Sequence, residues 1–262
     1  MNKNRIFALV YRYLTLLKRD LGKIIDTFYW PIIDIISWGF MTLYLDRNNL
    51  VLGSIANFLL SAMIFWTLVY SLARDIAVSF LDDVWDRNVV NLYGSPLRPT
   101  EFLIASLIVA FLRVILSTGV LIIVAKLLFS VNALALGGYF FVAYLLLVMF
   151  SYSLGIFAAT LILKFGPGVE IVAWSIPAIL LPVSAVFYPL EVLPKFLQQI
   201  AHFVPTSYIF ENMRAYLVGQ PVNFGQLGVA FLLNLGYLLI FISLFLTTFN
   251  KVRKDGTITR FS

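Results

Sequence analysis

Residues 81–101 read LDDVWDRNVVNLYGSPLRPTE. Leu81, Val84, Trp85, Val89 and Leu92 fall on one helical stripe, whereas Asp82, Asp83, Asp86, Arg87 and Asn91 lie mostly off it. Gly94, Pro96 and Pro99 then end the helix. On both sides of this segment the chain is almost purely apolar. A charged amphipathic helix between two such runs belongs at a membrane surface. It is either a solvated loop helix packed on its own bundle or a surface offered to a partner in the water.

Composition agrees with a membrane setting. Hydrophobic residues make up 61% and charged residues 12% of the 262 residues. A domain of this size leaves too much surface exposed to hide that many apolar side chains in one core, so lipid must be the solvent. A helix needs about 20 residues to cross the hydrocarbon layer, so the length accommodates six spans in one membrane domain. The absence of cysteine excludes disulfides, thiolate metal sites and a cysteine nucleophile. The start, MNKNRIFALVYRYLTLLKRD, has no apolar core followed by a small-residue cleavage site, so no removable signal peptide is expected.

Charge-free runs cover residues 50–73, 127–163, 171–190 and 215–250. Two further candidates carry isolated charges: 27–45 contains Asp34, and 102–129 contains Arg113 and Lys126. The pattern predicts six transmembrane helices near 27–45, 52–76, 102–128, 136–163, 170–189 and 226–249. Basic residues collect at the two ends: Lys3, Arg5, Arg12, Lys18, Arg19 and Lys23, then Lys251, Arg253, Lys254 and Arg260. The positive-inside rule places both termini in the cytoplasm, and an even number of spans agrees. Residues 77–101 then face the cytoplasm, and the long 191–225 connection faces the other side.

Three local patterns refine this picture. In residues 1–23, Arg5, Arg12 and Arg19 recur every seven residues opposite Ile6, Val10, Tyr13, Leu14 and Leu17. This predicts a basic amphipathic helix lying in the membrane surface, as an anchor alone or also as a contact for a cytoplasmic partner. The 191–220 stretch is too apolar for an ordinary loop. Leu193, Phe196, Leu197, Ile200 and Phe203 follow Pro194, while Ile209, Phe210, Met213, Tyr216 and Leu217 follow Pro205. Each piece is too short to span, so they read as two helices that dip into the outer leaflet and return, or as a pair lying flat on the membrane. Pro177 and Pro182 should bend the fifth span.

Charges inside a bilayer are costly and usually paired. Asp34 and Arg113 each lie about ten residues past the estimated start of an upward span, so an Asp34–Arg113 pair is expected. The alternative for Arg113 is a path for an anionic headgroup. Lys126 snorkels to the interface, and Glu211 with Arg214, three residues apart, reads as a surface pair. His202, the only histidine, has no carboxylate cluster near it and reads as an interfacial polar residue rather than a metal ligand.

Ser95, Pro96 and Leu97 close the 81–95 helix, and the 181–214 stretch contains Tyr188-Pro189, Leu193-Pro194, Pro205-Thr206 and Glu211 to Arg214. In this order and at these spacings the chain resembles the permease subunit of type 2 ABC exporters over essentially its whole length. The resemblance implies an all-helical membrane protein with six spans, an N-terminal interface helix, a cytoplasmic coupling helix and a re-entrant helical hairpin before the last span. The coupling residues would be Asp82, Asp83, Trp85, Asp86, Arg87, Val89, Ser95, Pro96 and Leu97. The re-entrant gate would be built on Tyr188, Pro189, Pro194, Pro205, Glu211 and Arg214. Where many members carry Arg-Gly-Thr-Leu-Glu, this chain has Trp85 to Asn91, WDRNVVN, which marks a departure from the family pattern.

The resemblance further implies that two permeases pair, as a homodimer or heterodimer, above two copies of a cytoplasmic ATP-binding cassette subunit. Residues of the chain offer no Gly-x-x-x-x-Gly-Lys-Ser/Thr loop, so ATP and magnesium are expected on that subunit, with no cofactor in the permease. The expected activity is export of a hydrophobic or amphipathic substrate, such as a lipid-linked glycan, a lipid or a drug-like molecule, across the cytoplasmic (inner) membrane. An ion-gradient-driven transporter would show matched broken helices in both halves, and only the fifth span is a candidate. An embedded enzyme would need a convergent polar cluster, which the sequence does not present.

Overall fold

The computed structural model describes residues 2–48, 53–85 and 97–255. Among these residues run nine α-helices: α1 (Lys3–Arg19), α2 (Leu21–Arg47), α3 (Gly53–Trp85), α4 (Pro99–Phe129), α5 (Gly138–Phe165), α6 (Ile171–Leu180), α7 (Lys195–Ala201), α8 (Pro205–Leu217) and α9 (Phe224–Lys254). Five of them, α2, α3, α4, α5 and α9, are long and apolar enough to cross a membrane.

Helices α3 and α5 form the centre. Of their most apolar windows, 83% and 78% of the residues are buried, against 22%, 39% and 17% for α2, α4 and α9. The peripheral helices turn Phe40, Leu116, Ile123, Leu232 and Leu239 outward, as lipid-facing helices do. Side-chain contacts give the directions. Phe65 meets Phe140 near one end of α3 and α5, and Gly155 lies against Ile76 further along, so the two run parallel. α9 follows α5, with Asn234 donating to the Leu146 carbonyl at 2.9 Å and Phe241 stacked on Phe157. α2 and α4 run the opposite way.

Gly155 sets the spacing of the central pair. A Cβ at this position would lie 2.8 Å from Ile76 Cβ and 2.9 Å from the Ala73 carbonyl oxygen. Backbone cannot give way cheaply, so Gly155→Val is expected to destabilise the bundle by about 1–3 kcal/mol through overpacking. Thermal unfolding in a mild detergent would check this, and an unchanged midpoint would mean that the two helices are free to separate.

Three expectations need correction. The helix expected at 52–76 continues to Trp85, because Ile76, Ala77, Phe80 and Leu81 carry its buried stripe onward. Residues 81–85 are therefore the last turns of α3 rather than the start of a separate helix. The rest of the expected coupling helix, from Asp86 to Pro96, lies outside the described residues. The span expected at 170–189 is broken. α6 has 10 residues, roughly 15 Å at 1.5 Å per residue, and gives way to a 3-10 turn at Leu181–Val183 and irregular chain beyond it. Pro182 brings no N–H to continue the helix, and Ala185 adopts φ +53°. Finally, α2 starts at Leu21 rather than near residue 27, capped by the Asp20 side chain, which accepts from the Lys23 amide.

Asp20 is also the single extended residue between α1 and α2. α1 packs along α4 through Leu9 and Tyr13, and its start is tied to the start of α4 by Glu101. That buried carboxylate accepts from the Asn2 amide at 2.8 Å and the Arg98 amide at 3.0 Å, with Arg5 at 3.8 Å. One side chain thus caps two helix N-termini, where orphan amides and the helix dipole favour negative charge.

Candidate functional site

A cleft of about 240 Å³ opens between α2, α3 and the chain that follows α6. Trp30, Asp34 and Trp38 enter it from α2, and Trp66, Tyr70 and Arg74 from α3. Both sets are spaced i, i+4, i+8, which places each on one helix face. Pro31, Met63, Thr67, Ser71, Leu181 and Phe187 complete the wall, with Phe187 stacked on Trp38 at 4.8 Å. Asp34 stands at the midpoint of α2 and is exposed in the single chain. A charge at bilayer centre costs about 2.5–3.5 kcal/mol on insertion scales, so this face is suited to water or a ligand rather than lipid.

Below the cleft lies a network of buried charges that hydropathy does not reveal. Arg74 contacts Asp26 at 2.8 Å and Asp75 at 3.5 Å. Arg113 contacts Asp75 at 3.3 Å and donates to the Thr27 hydroxyl at 2.7 Å. Arg74 and Asp75 are only 6% and 4% exposed. Ser117 donates to the Thr27 carbonyl at 3.2 Å, and Lys23 pairs with Asp82 one step further toward the end of α3. The network therefore ties α2, α3 and α4 together at one level. Tyr13, Leu16 and Leu17 of α1 close a small cavity, about 30 Å³, around Lys23, Asp82 and Arg113.

This arrangement corrects the expected Asp34–Arg113 pair. Arg113 is level with Thr27, not with Asp34, and its ion pair is with Asp75. Seven residues separate Thr27 from Asp34, roughly 10 Å along the helix. The physical reason is that α4 begins beside the start of α1, where Glu101 holds it, whereas α2 begins only after α1 has ended, so that Arg113 lies far along α4 at a level that α2 reaches near its start. Counting residues from the helix starts therefore misjudged the relative depth.

The remaining sequence-derived residues fall into two groups. Of the coupling set, Asp82 is paired with Lys23 and Leu97 packs against the core. Asp83 and Trp85 lie on the final turns of α3, and Asp86, Arg87, Val89, Ser95 and Pro96 are outside the described residues. The residues expected to build the gate lie toward the other end of the bundle. Tyr188 donates to the Pro182 carbonyl at 2.8 Å, Pro189 precedes a 3-10 turn at Leu190–Val192, Pro194 precedes α7 and Pro205 opens α8.

Glu211 and Arg214 do more than the expected surface pair. Glu211 accepts from the Leu190 amide at 2.8 Å and pairs with Arg214 at 2.8 Å. Arg214 donates to the Ala185 carbonyl at 3.0 Å and lies 4.5 Å above the Phe58 ring. Burial pushes the Arg214 guanidinium down from its ordinary pKa, while the neighbouring Glu211 carboxylate acts the other way. Together they hold the irregular 185–190 backbone against α8 and α3. α8 buries Ile209, Phe210 and Met213 in the bundle, while α7 turns Phe196 and Ile200 outward.

Reasoning from sequence missed Asp26, Arg74, Asp75 and Glu101. A signal for the first three was present, because Lys23 and Asp26 meet Asp82 and Arg74 in complementary order when α2 and α3 are antiparallel. For Glu101, a proline at the first helical position with glutamate two residues later marks a helix start.

No curated protein matches the chain. The family model for the ABC-2 type transporter matches residues 4–218. The match begins in α1, takes in the cleft and the charge network, and ends just after α8, so by this match and by its multi-pass bundle of apolar helices the chain belongs to the ABC-2 type transporter family.

Proposed function

We propose that this chain is the permease subunit of an ATP-driven exporter in the cytoplasmic membrane. Two permeases pair, and each rests on a separate cytoplasmic ATP-binding cassette subunit that holds ATP and magnesium. The whole of 1–262 acts as one permease domain. In this reading α6 and the turns after it make a short sixth crossing, which returns both termini to the cytoplasm. α7 and α8 form the re-entrant segment, with α7 presenting its apolar face to lipid. Segment 81–97 is the coupling element, and the cleft beside Asp34 receives a hydrophobic or amphipathic substrate, such as a lipid-linked glycan, a lipid or a drug-like molecule.

One observation carries this reading. α3 lines the cleft with Trp66, Tyr70 and Arg74 and runs without a break to Trp85, at the head of the coupling segment. Nineteen residues separate Trp66 from Trp85, roughly 28 Å of continuous helix. A push on the far end moves the cleft wall as one rod. The charge network sits along this rod and couples its displacement to α2 and α4.

The test is ATP hydrolysis in lipid nanodiscs by the chain co-purified with its ATP-binding subunit. With the Trp85→Ala, Asp86→Ala double variant, substrate-stimulated turnover is expected to fall to the basal rate or the assembly to dissociate. An unchanged variant would remove 81–93 as the motor contact. If no ATP-binding subunit co-purifies, transport driven by an ion gradient takes the place of this reading.

A further inference from the structure

We propose that the Asp34 cleft is a binding subsite for the cationic head of an amphiphile, a quaternary or protonated amine seated among indole rings with Asp34 as its counter-ion. The proposal rests on the reading of the cleft as part of the transport path and adds the chemical class of what it takes. Three observations support it. First, the charges do not balance locally. Arg74 and Arg113 are matched by Asp26 and Asp75, which leaves Asp34 as an additional carboxylate. Among the described residues no cation pairs with it, and it opens into the cleft.

Second, the surroundings suit a soft cation. Trp30 and Trp38 flank Asp34 one helical turn to either side, and Trp66 and Tyr70 line the cleft from α3, the Tyr70 ring with the Arg74 guanidinium 6.0 Å from its centre. Aromatic faces attract cations through their quadrupole, most strongly where water is excluded. Quaternary ammonium groups, which hold water weakly, gain most from such a cage. Third, the remaining polar groups do not favour a neutral sugar. Apart from Asp34, Arg74 and the three indole N–H groups, the polar wall is limited to Thr67, Ser71 and Tyr70, without the amide side chains that would both donate to and accept from a set of hydroxyls. Arg74 does not oppose the assignment, because its guanidinium is turned to Asp26 at 2.8 and 3.1 Å.

The test compares three amphiphiles with one tail and different heads. Binding of radiolabelled dodecyltrimethylammonium to the full chain in phosphatidylglycerol nanodiscs, whose lipid carries no amine head, is measured below its micellar concentration, with empty nanodiscs subtracted. Saturable binding is expected, weakened about tenfold by Asp34→Asn and retained by Asp34→Glu. Trp30→Leu should also weaken it, and dodecyl sulfate should not compete. Asp34 and Trp30 are exposed, so the variants should elute on size exclusion as the parent does. Binding that is unaffected by Asp34→Asn would overturn the proposal. Equal competition by dodecyl maltoside would overturn it too, and would assign the cleft to a neutral glycan head. The assay uses neither nucleotide nor partner, so its failure leaves the ATP hydrolysis test standing, and failure of that test leaves this one interpretable.

Discussion

Replacing Asp75 by alanine is expected to cost about 3–5 kcal/mol of stability, the range for removing one partner from a buried ion pair. Asp75 is the carboxylate shared by two arginines, at 3.3 Å from Arg113 and 3.5 Å from Arg74. Without it Arg113 keeps the Thr27 hydroxyl, a neutral partner, and Arg74 keeps Asp26 and the Tyr70 ring, 6.0 Å away. A guanidinium cannot shed its proton to escape burial, so the uncompensated charge must draw water into the bundle or part the helices. The double variant Asp75→Leu, Arg113→Leu removes the pair together and should cost less than the sum of the single changes, because residues in contact do not contribute additively. Unfolding of the purified chain in mixed micelles measures all three. Additive costs, or a negligible loss in Asp75→Ala, would show that the network is solvated and carries no load between α2, α3 and α4.

Arg214→Met is expected to cost about 1.5–3 kcal/mol, the range for a hydrogen bond to a charged group, chiefly through the buried Ala185 carbonyl, since the Glu211 carboxylate is partly exposed and screened. The methionine would still cover part of Phe58 but would leave the Ala185 carbonyl and the Glu211 carboxylate without the guanidinium. The effect should be local: amides of residues 185–192 should exchange faster with solvent, while those of α3 and α5 should hold. Arg214→Lys should rescue little, since one ammonium cannot reproduce a planar fork that reaches Ala185 and Glu211 together. Uniform loss of protection across the bundle would mean that Arg214 supports the core rather than the 185–190 backbone. If transport but not stability changed on Arg214→Met, the contact would be a moving part of the external segment instead of a fixed brace.

The two sites differ in how far they could be read before the fold was known. The Glu211–Arg214 pair is visible as an i, i+3 spacing on one helix, but its value depends on where the 185–190 chain passes, and that is set by the break after α6. Neither Pro177 nor Pro182 by itself announces that break, because a proline can also bend a continuous span. The charge network was hidden for a different reason. The charge-free run ends at residue 73, so hydropathy puts Arg74 and Asp75 at the very end of the 52–76 span and assigns them no partner. Their partners are 48 residues away at Asp26 and 38 residues away at Arg113, and paired charges can continue inside a helix that an unpaired charge would end.

By itself the sequence determined that this chain has several apolar helices fit to cross a membrane, four of them covering 27–45, 102–128, 138–163 and 226–249 and one running through 53–76, and that a helix lies within residues 1–23. These follow from composition and from helical periodicity, which are local. Only the tertiary structure decided that α3 runs on to Trp85, that α6 stops at Leu180, and that Arg113 meets Asp75 rather than Asp34. The relative depth of two packed helices depends on what holds their ends, here Glu101 beside the start of α1 and Asp20 before α2, and no periodicity within either helix encodes it.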